Sequence, residues 1–235
     1  EQPWPKDLLS QTALNLYHAQ GLIRYNQVYS WEIRQREKVL SRGPVDLKSW
    51  TTEQIYEEAH RALGKVWQHR EALGAIPAKR LEEYLSVNNY PRDIRASLRD
   101  TVSYMWAALL NSSQGWTAAE SNNLHELDLD GLLNGNDFSD PLLPGHPLQR
   151  ISAISADLEN WHRAQKRDEA AAEARFQRLR ALHAHLSQDQ DRQTIREHLK
   201  DFLPGLKNLP WWAMGKHQLA QFVMAESDPE HLIRA

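Results

Sequence analysis

The chain has 235 residues, of which 41% are hydrophobic, and it carries a net charge of -3 at pH 7. This composition suffices for one large or two smaller hydrophobic cores and argues against disorder. Because the chain lacks an overall basic charge, we expect no nucleic-acid partner. The sequence contains no run of about 18 apolar residues, so it predicts no transmembrane helix. The absence of cysteine excludes disulfides, thiol nucleophiles and cysteine-ligated zinc in this chain.

The N-terminal part of the chain shows the spacing of an amphipathic helix. Residues 8–40 predict a first helix, because side chains of one stripe recur at intervals of three and four. The stripe consists of Leu14, Tyr17, Gly21, Tyr25 and Val28, continued by Trp31. Arg42, Gly43 and Pro44 end this pattern.

A second helix is marked by capping signals. Thr51 is followed three residues later by Gln54, which is the spacing of a capping box, and Trp50 and Ile55 stand where a hydrophobic staple packs. The apolar face of this helix consists of Ile55, Ala59, Ala62, Leu63, Val66, Trp67 and Leu73. The glycine that follows ends the helix, and a short third helix is predicted at residues 77–85.

Residues 87–116 are the most sharply punctuated stretch and predict a central helix. Pro91 supplies a φ angle suited to the first helical position, so the predicted helix begins there. Its apolar face consists of Ile94, Leu98, Val102, Met105 and Leu109. Short polar side chains and a glycine then end the helix at Asn111, Ser112, Ser113 and Gly115.

The C-terminal half combines one long loop with further helices. Residues 127–145 are rich in turn formers and predict the longest loop. Residues 147–186 show helical spacing over too great a length for one globular helix, so we expect a break at residues 165–168 with Asp168 as the N-cap. Two more helices follow, the second ending at about residue 226.

These elements make the chain all-α, with about eight or nine helices, because no stretch alternates apolar and polar residues. Short connections predict antiparallel helix pairs in an irregular or degenerate helical-repeat array of the tetratricopeptide-like kind. Trp211, Met214 and Gly215 match the first-helix signature of such repeats, although no clean 34-residue period appears elsewhere. We expect an N-terminal helical subdomain at residues 1–145 and a C-terminal helical-hairpin subdomain at 146–235, packed as one continuous array that is truncated at residue 235.

One group of side chains invites a metal interpretation. Its members are His125, Glu126, Asp128 and Asp130. A calcium loop that began at Asp128 would place Leu132 and Ser139 where oxygen ligands are required, so solvated carboxylates and a helix cap explain the group better. Signature motifs of serine nucleophiles, zinc proteases and phosphate-binding loops are absent. We therefore expect no metal, no cofactor and no enzymatic activity.

Charged and aromatic residues provide candidate interaction sites. Arg95 and Arg99 are four residues apart on the predicted central helix and share a face that can bind an anion. Asp93 and Asp100 are close enough to neutralise them, so we favour a structural salt-bridge network over a ligand site. The candidate aromatic residues are Trp116, Trp161, Trp211 and Trp212. Such rings mostly fill gaps between helices, and an aromatic ligand groove is the alternative.

A series of short motifs runs in order along residues 52–235. The motifs are Tyr90-Pro91, Ile94-Arg95, Leu98-Arg99-Asp100, Ser103-Tyr104, Trp116, Ser121-Asn122, Leu127-Asp128-Leu129, His146-Pro147-Leu148, Asp157-Leu158-Glu159, Trp161-His162 and Pro210-Trp211-Trp212-Ala213-Met214-Gly215. In this order they resemble the N-terminal helical region of large bacterial alpha-2-macroglobulin-like proteins. The resemblance implies an exported, periplasmic or cell-surface protein that traps proteases in defence. The β-sandwich domains, bait region and thioester of such proteins have no counterpart in this chain, which leaves a scaffold or docking role.

Three functional hypotheses follow. The first is a non-enzymatic helical scaffold or protein-docking module of such a protein, whose partners are other domains of the same polypeptide or another protein. The second is a free-standing helical adaptor that holds a peptide or glycan in a Trp-lined groove. The third is a helical glycan-cleaving enzyme in which Glu226 or Glu120 acts as the acid.

Overall fold

The computed structural model describes residues 4–36, 46–85, 89–91, 93–137 and 140–225. Within these ranges the chain forms α-helices, short 3-10 helices and no β-strand, which confirms the all-α prediction. The α-helices are α1 (Leu8–Val28), α2 (Ser30–Arg34), α3 (Thr52–Trp67), α4 (Arg70–Leu73), α5 (Leu98–Leu110), α6 (Ala118–Asn122), α7 (Leu129–Asn134), α8 (Pro147–Ala164), α9 (Asp168–His185), α10 (Asp189–Phe202) and α11 (Trp212–Met224). A 3-10 helix, Ala78–Leu81, replaces the third predicted α-helix. In the described ranges no helix has the length and apolar character needed to cross a membrane.

The first helix is shorter than the predicted one. It begins after Asp7, whose carboxylate accepts a hydrogen bond of 2.8 Å from the backbone N–H of Ser10. It ends before Tyr29, where the chain turns into α2. Residues 37–40, the end of the predicted helix, lie outside the described ranges. Along its length α1 packs on α3.

The predicted capping box at the start of α3 is confirmed. Thr51 Oγ1 accepts a hydrogen bond of 3.4 Å from the N–H of Gln54, and Gln54 Oε1 accepts one of 3.0 Å from the N–H of Thr51. The helix predicted to run to Gly74 is divided into α3 and α4. Trp67 of α3 packs edge-on against Trp106 of α5, with ring centroids 5.8 Å apart, so the core of this region includes α5.

The central helix begins later than predicted. α5 starts at Leu98 instead of Pro91, because Ser97 provides the cap. The Oγ of Ser97 accepts a hydrogen bond of 3.2 Å from the N–H of Asp100, and the carboxylate of Asp100 accepts one of 2.9 Å from the N–H of Ser97. Arg95 has a φ of 58°, which places it in the left-handed region and outside any α-helix.

The predicted break within residues 147–186 is confirmed. Residues 165–167 separate α8 from α9, and Lys166 between them has a φ of 59°. Arg167 occupies the N-cap position that the sequence assigns to Asp168, which is instead the first helical residue. Because so short a connection reverses the chain, α8 and α9 form an antiparallel hairpin.

The chain folds into two compact units. Unit 1 comprises Glu1–Tyr90 and Arg95–Ser121, and unit 2 comprises Pro91–Ile94 and Asn122–Ala235. Within the segment predicted as a long loop, the chain forms α7, which packs on α8. Residues after 121 therefore group with the C-terminal helices, whereas the sequence places the division after residue 145. The helical repeat and the continuous array stay predictions.

Candidate functional site

The apolar stripe of α1 points away from the core of unit 1. Leu14 is 42% exposed, and Tyr17 and Val28 are both 67% exposed. The buried side of α1 combines three apolar residues with three polar ones: Thr12, Asn15, Leu16, Ala19, Leu22 and Asn26. Both sides of the helix thus have helical spacing, and the exposed apolar side remains available to a partner.

A groove with a volume of about 1020 Å³ lies beside this exposed stripe. It is lined by residues of α1, α3 and α5 together with the residue two positions after α5: Tyr17, Ala19, Gln20, Gly21, Ile23, Arg24, Gln27, Val28, Tyr56, Leu63, Met105, Ala108, Leu109 and Ser112. The volume is at the upper end of the range of about 300–1000 Å³ that is usual for ligand pockets. An open groove of this size accommodates a segment of polypeptide.

Polar residues lie on the buried side of α1, opposite its exposed apolar stripe. Asn15 is buried, and its side-chain amide donates a hydrogen bond of 2.8 Å to the carbonyl of Gln11 one turn earlier. Part of the hydrogen-bonding capacity of this buried amide is therefore satisfied within α1. Ala19 is also buried, and its small side chain allows the backbones of α1 and α3 to approach closely.

Gly21 and Arg24 of α1 determine part of the space and the charge of the groove. At Gly21 an added Cβ would meet no atom within 4 Å, so the absence of a side chain leaves open space along the groove. Arg24 is exposed and lines the same groove. Among the described lining residues, Arg24 is the one charged side chain. The groove therefore combines apolar and uncharged polar side chains with a single positive charge.

The expectation that Arg95 and Arg99 share a helical face is wrong. Arg95 precedes α5, and its guanidinium lies over the rings of Tyr90 and Tyr104 at 4.1 Å and 3.8 Å from their centroids. Arg99 is buried and forms an ion pair of 2.9 Å with Glu71 of α4. The ion pair attaches the start of α5 to its neighbour within unit 1.

Two of the four candidate tryptophans use their indole N–H groups in local hydrogen bonds. Trp116 donates to the carbonyl of Leu110 at 2.7 Å, which closes the turn after α5. Trp211 is buried and donates to Oε2 of Glu173 at 3.1 Å. Both contacts are of the kind expected for rings that fill gaps between helices.

The other two candidate tryptophans are half-buried beside cations. The guanidinium of Arg167 lies 5.3 Å from the ring centroid of Trp161, and the ammonium of Lys216 lies 6.0 Å from that of Trp212. The described lining of the groove includes none of the four candidate tryptophans. Its aromatic residues are tyrosines, which the sequence does not distinguish as a site.

A buried cluster in unit 2 joins one carboxylate to three guanidinium groups. Glu159 is buried and pairs with Arg163 at 2.6 Å, Arg175 at 2.8 Å and Arg178 at 2.9 Å. Burial lowers the pKa of Arg178, and the Glu159 carboxylate opposes that effect. The spacing of residues 159 and 163 indicates one of these pairs, but the other two depend on the α8–α9 hairpin and leave no local signal.

A smaller cavity of about 240 Å³ lies between the start of α1 and the end of α3. It is lined by Trp4, Leu8, Gln11, Thr12, Asn15, Lys65, Val66, Gln68 and His69. The ring of Trp4 is exposed at this cavity. Its combination of an indole with amide and hydroxyl groups suits a small polar molecule.

The remaining candidates have local roles or lie outside the described ranges. Glu120 accepts hydrogen bonds of 2.7 Å and 2.9 Å from the backbone N–H and the hydroxyl of Thr117, as a helix cap does. Glu226 lies outside the described ranges. In the described part of the chain no three His, Asp or Glu side chains are grouped as a metal site.

No protein-family model, no curated protein and no solved structure matches the chain. The groove beside α1 is the feature of unit 1 that combines a large volume with exposed apolar side chains. It is therefore the candidate functional site on physical grounds.

Proposed function

We propose that the chain is a non-enzymatic protein-docking module in which the groove beside α1 binds a helical segment of another domain or of another protein. The observation that carries this proposal is the stripe of exposed apolar residues on α1 next to a groove of about 1020 Å³. A helix that presents an apolar face fits such a groove, because one helix can pack along another through side chains three and four residues apart.

The energetics favour a partner that covers the whole stripe. Burying one large apolar side chain contributes about 1.5–3 kcal/mol, whereas association costs about 4–15 kcal/mol in lost freedom. Leu14, Tyr17 and Val28 are already partly buried, at 42% to 67% exposure, so all three must be covered to offset part of that cost. A short contact at one end of the groove would bury too few of these side chains for stable binding.

The resemblance to alpha-2-macroglobulin-like proteins supports a specific setting for this module. We place it in an exported protein that traps proteases at the cell surface or in the periplasm, where it docks other domains of the same polypeptide. The support is the order of the motifs along residues 52–235. Docking itself does not require this setting, because it depends on the groove alone.

The experiment that tests docking is selection of amphipathic helical peptides from a display library against the whole chain. Gly21→Leu fills the groove with a side chain, and the open space at Gly21 lets the variant keep its fold. Gly205→Leu is the matched control, since an added Cβ at Gly205 in unit 2 also meets no atom within 4 Å. We expect selected peptides to lose affinity for Gly21→Leu and to retain it for Gly205→Leu. Selected peptides that bind both variants equally would refute docking in this groove.

The cavity beside Trp4 favours a second function, that of an adaptor for a small polar ligand such as a sugar unit of a glycan. The face of an indole packs on the C–H groups of a sugar ring, and an amide such as that of Gln68 binds hydroxyl groups. Intrinsic tryptophan fluorescence titrated with glycan fragments tests this function. We expect a saturable change that Trp4→Ala removes, and a flat response in the parent chain would reject the adaptor.

A further inference from the structure

The spacing of the exposed stripe on α1 identifies the shape of the partner. Leu14, Tyr17, Gly21 and Val28 of this stripe, together with the adjacent Arg24, follow one another at intervals of three, four, three and four residues. This is the heptad spacing with which one helix packs along another. The buried side of α1 that contacts α3 lies about 170° around the helix from this stripe, as a rotation of about 100° per residue requires. Four of these residues, Tyr17, Gly21, Arg24 and Val28, also line the groove, so a helix bound in the groove lies along this side of α1.

The charge on this surface identifies the chemistry of the partner. The sequence of α1 contains Arg24 and no aspartate or glutamate. The described groove lining also contains no acidic residue. A second copy of the chain that packed α1 against α1 would place Arg24 against a helix that has no carboxylate of its own, which is unfavourable. A partner helix with glutamate or aspartate beside its apolar face would supply that carboxylate.

We infer that the groove selects an amphipathic helix whose apolar face is flanked by acidic residues, an inference that rests on the proposed docking function. The apolar stripe provides most of the affinity, and Arg24 selects among helices of equal hydrophobicity. The gap at Gly21 admits a large side chain of the partner between Tyr17 and Arg24. The partner therefore carries a leucine-like residue at its centre and carboxylates at the edges of its apolar face.

Three synthetic helical peptides of 21 residues, the length of α1, test this inference. They share one apolar face and differ only in the flanking residues, which are glutamate, glutamine or lysine. Each peptide carries a fluorescent label, and binding to the whole chain is measured by fluorescence anisotropy at low salt. We expect the glutamate peptide to bind about three- to tenfold more tightly than the lysine peptide, as expected for an exposed ion pair.

Charge reversal in the protein provides the decisive comparison. In Arg24→Glu we expect the lysine peptide to become the tightest ligand. Arg34→Glu is the matched control, because Arg34 is an exposed arginine of α2 that does not line the groove and its substitution changes the net charge equally. The order of affinities in this control should be that of the parent chain. Thermal melts followed by circular dichroism check that both variants are folded.

The outcomes distinguish a wrong partner chemistry from a wrong docking site. Equal affinity for all three peptides, combined with loss of binding in Gly21→Leu, would overturn the acidic partner and leave docking intact. If none of the three peptides binds, and the selected library peptides bind Gly21→Leu as tightly as the parent chain, both the acidic partner and docking in the groove would be overturned. A dimer in sedimentation velocity that Gly21→Leu dissociates would overturn the acidic partner in favour of a second copy of the chain.

Discussion

The indole N–H of Trp211 donates a hydrogen bond of 3.1 Å to Oε2 of Glu173, a residue that is fully buried. The other carboxylate oxygen of Glu173 accepts a hydrogen bond of 2.7 Å from Arg180. A buried carboxylate requires such donors, because its desolvation is costly when they are missing. Trp211 therefore contributes to unit 2 through both the burial of its ring and the stabilisation of a buried charge.

We predict that Trp211→Phe destabilises the chain by about 1.5–3 kcal/mol, because the buried carboxylate loses a charge-assisted hydrogen bond. Urea denaturation measures this change as a lower free energy of unfolding. Trp212→Phe is the matched control, since the half-buried ring of Trp212 lies beside the ammonium of Lys216, and the change should cost less than about 1 kcal/mol. Equal losses in the two variants would show that ring volume, and not the hydrogen bond, determines the effect.

Gly115 is closely packed against the buried ring of Tyr56. A Cβ at Gly115 would overlap the Cδ1, Cε1 and Cγ atoms of that ring. We predict that Gly115→Ala lowers the free energy of unfolding by about 1–3 kcal/mol through overpacking. Gly21→Ala is the matched control and should stabilise α1 by up to about 1 kcal/mol, because the added Cβ meets open space and alanine favours helix. If urea denaturation shows no change in the free energy of unfolding of Gly115→Ala, the Tyr56 ring moves aside without cost.

Glu159 forms ion pairs with three arginines, one of which, Arg178, is fully buried. Removing the carboxylate charge leaves that guanidinium without its charged partner, so Glu159→Gln should destabilise the chain by about 3–5 kcal/mol. Arg163→Ala removes the partner that is 46% exposed and should cost about 1 kcal/mol or less. Both values are obtained from urea denaturation at pH 7. A loss below about 1 kcal/mol in Glu159→Gln would mean that Arg178 finds another partner or a water molecule.

The parts of the fold that the sequence predicts are those determined by local interactions. The capping box of Thr51 and Gln54 involves residues three apart, so its spacing is visible in the sequence. Ser97 and Asp100 form a second box of the same spacing, and the start of α5 at Leu98 follows from it. Pro91 suggests an earlier start only because proline is also favourable at the first helical position.

The candidate groove could not be predicted in the same way. The apolar stripe on α1 is visible in the sequence, but its exposure depends on α3 packing against the opposite, more polar side. Amphipathic spacing alone would place Tyr17 and Val28 in the core, where neither lies. The pairing of Glu159 with Arg178 likewise requires the α8–α9 hairpin to form. Both the groove and the Glu159 cluster depend on contacts between residues that are distant in sequence. The spacing of residues within one helix does not predict such contacts.

His183 makes the stability of unit 2 dependent on pH. Its side chain is buried, and its ring stacks on Phe222 with centroids 4.0 Å apart. Burial, assisted by the positive charges of Arg192 and Arg196, lowers the pKa of His183 from 6.5 to about 4. As the pH falls below about 6.5, the imidazole is protonated in the unfolded chain before it is protonated in the folded one. The folded state therefore loses stability between pH 6.5 and about 4 and loses no more on this account at lower pH.

We predict that His183→Phe removes this part of the pH dependence while the aromatic stack on Phe222 is retained. Between pH 7.5 and 4.5 the parent chain should lose about 2 kcal/mol more unfolding free energy than the variant, allowing for solvent screening of the shift. Urea denaturation at several pH values measures the difference. His198, whose pKa burial also lowers, leaves a residual slope in both proteins, so the comparison between them isolates residue 183. Parallel stability curves for the two proteins would show that the His183 ring is protonated equally well in the folded and unfolded states.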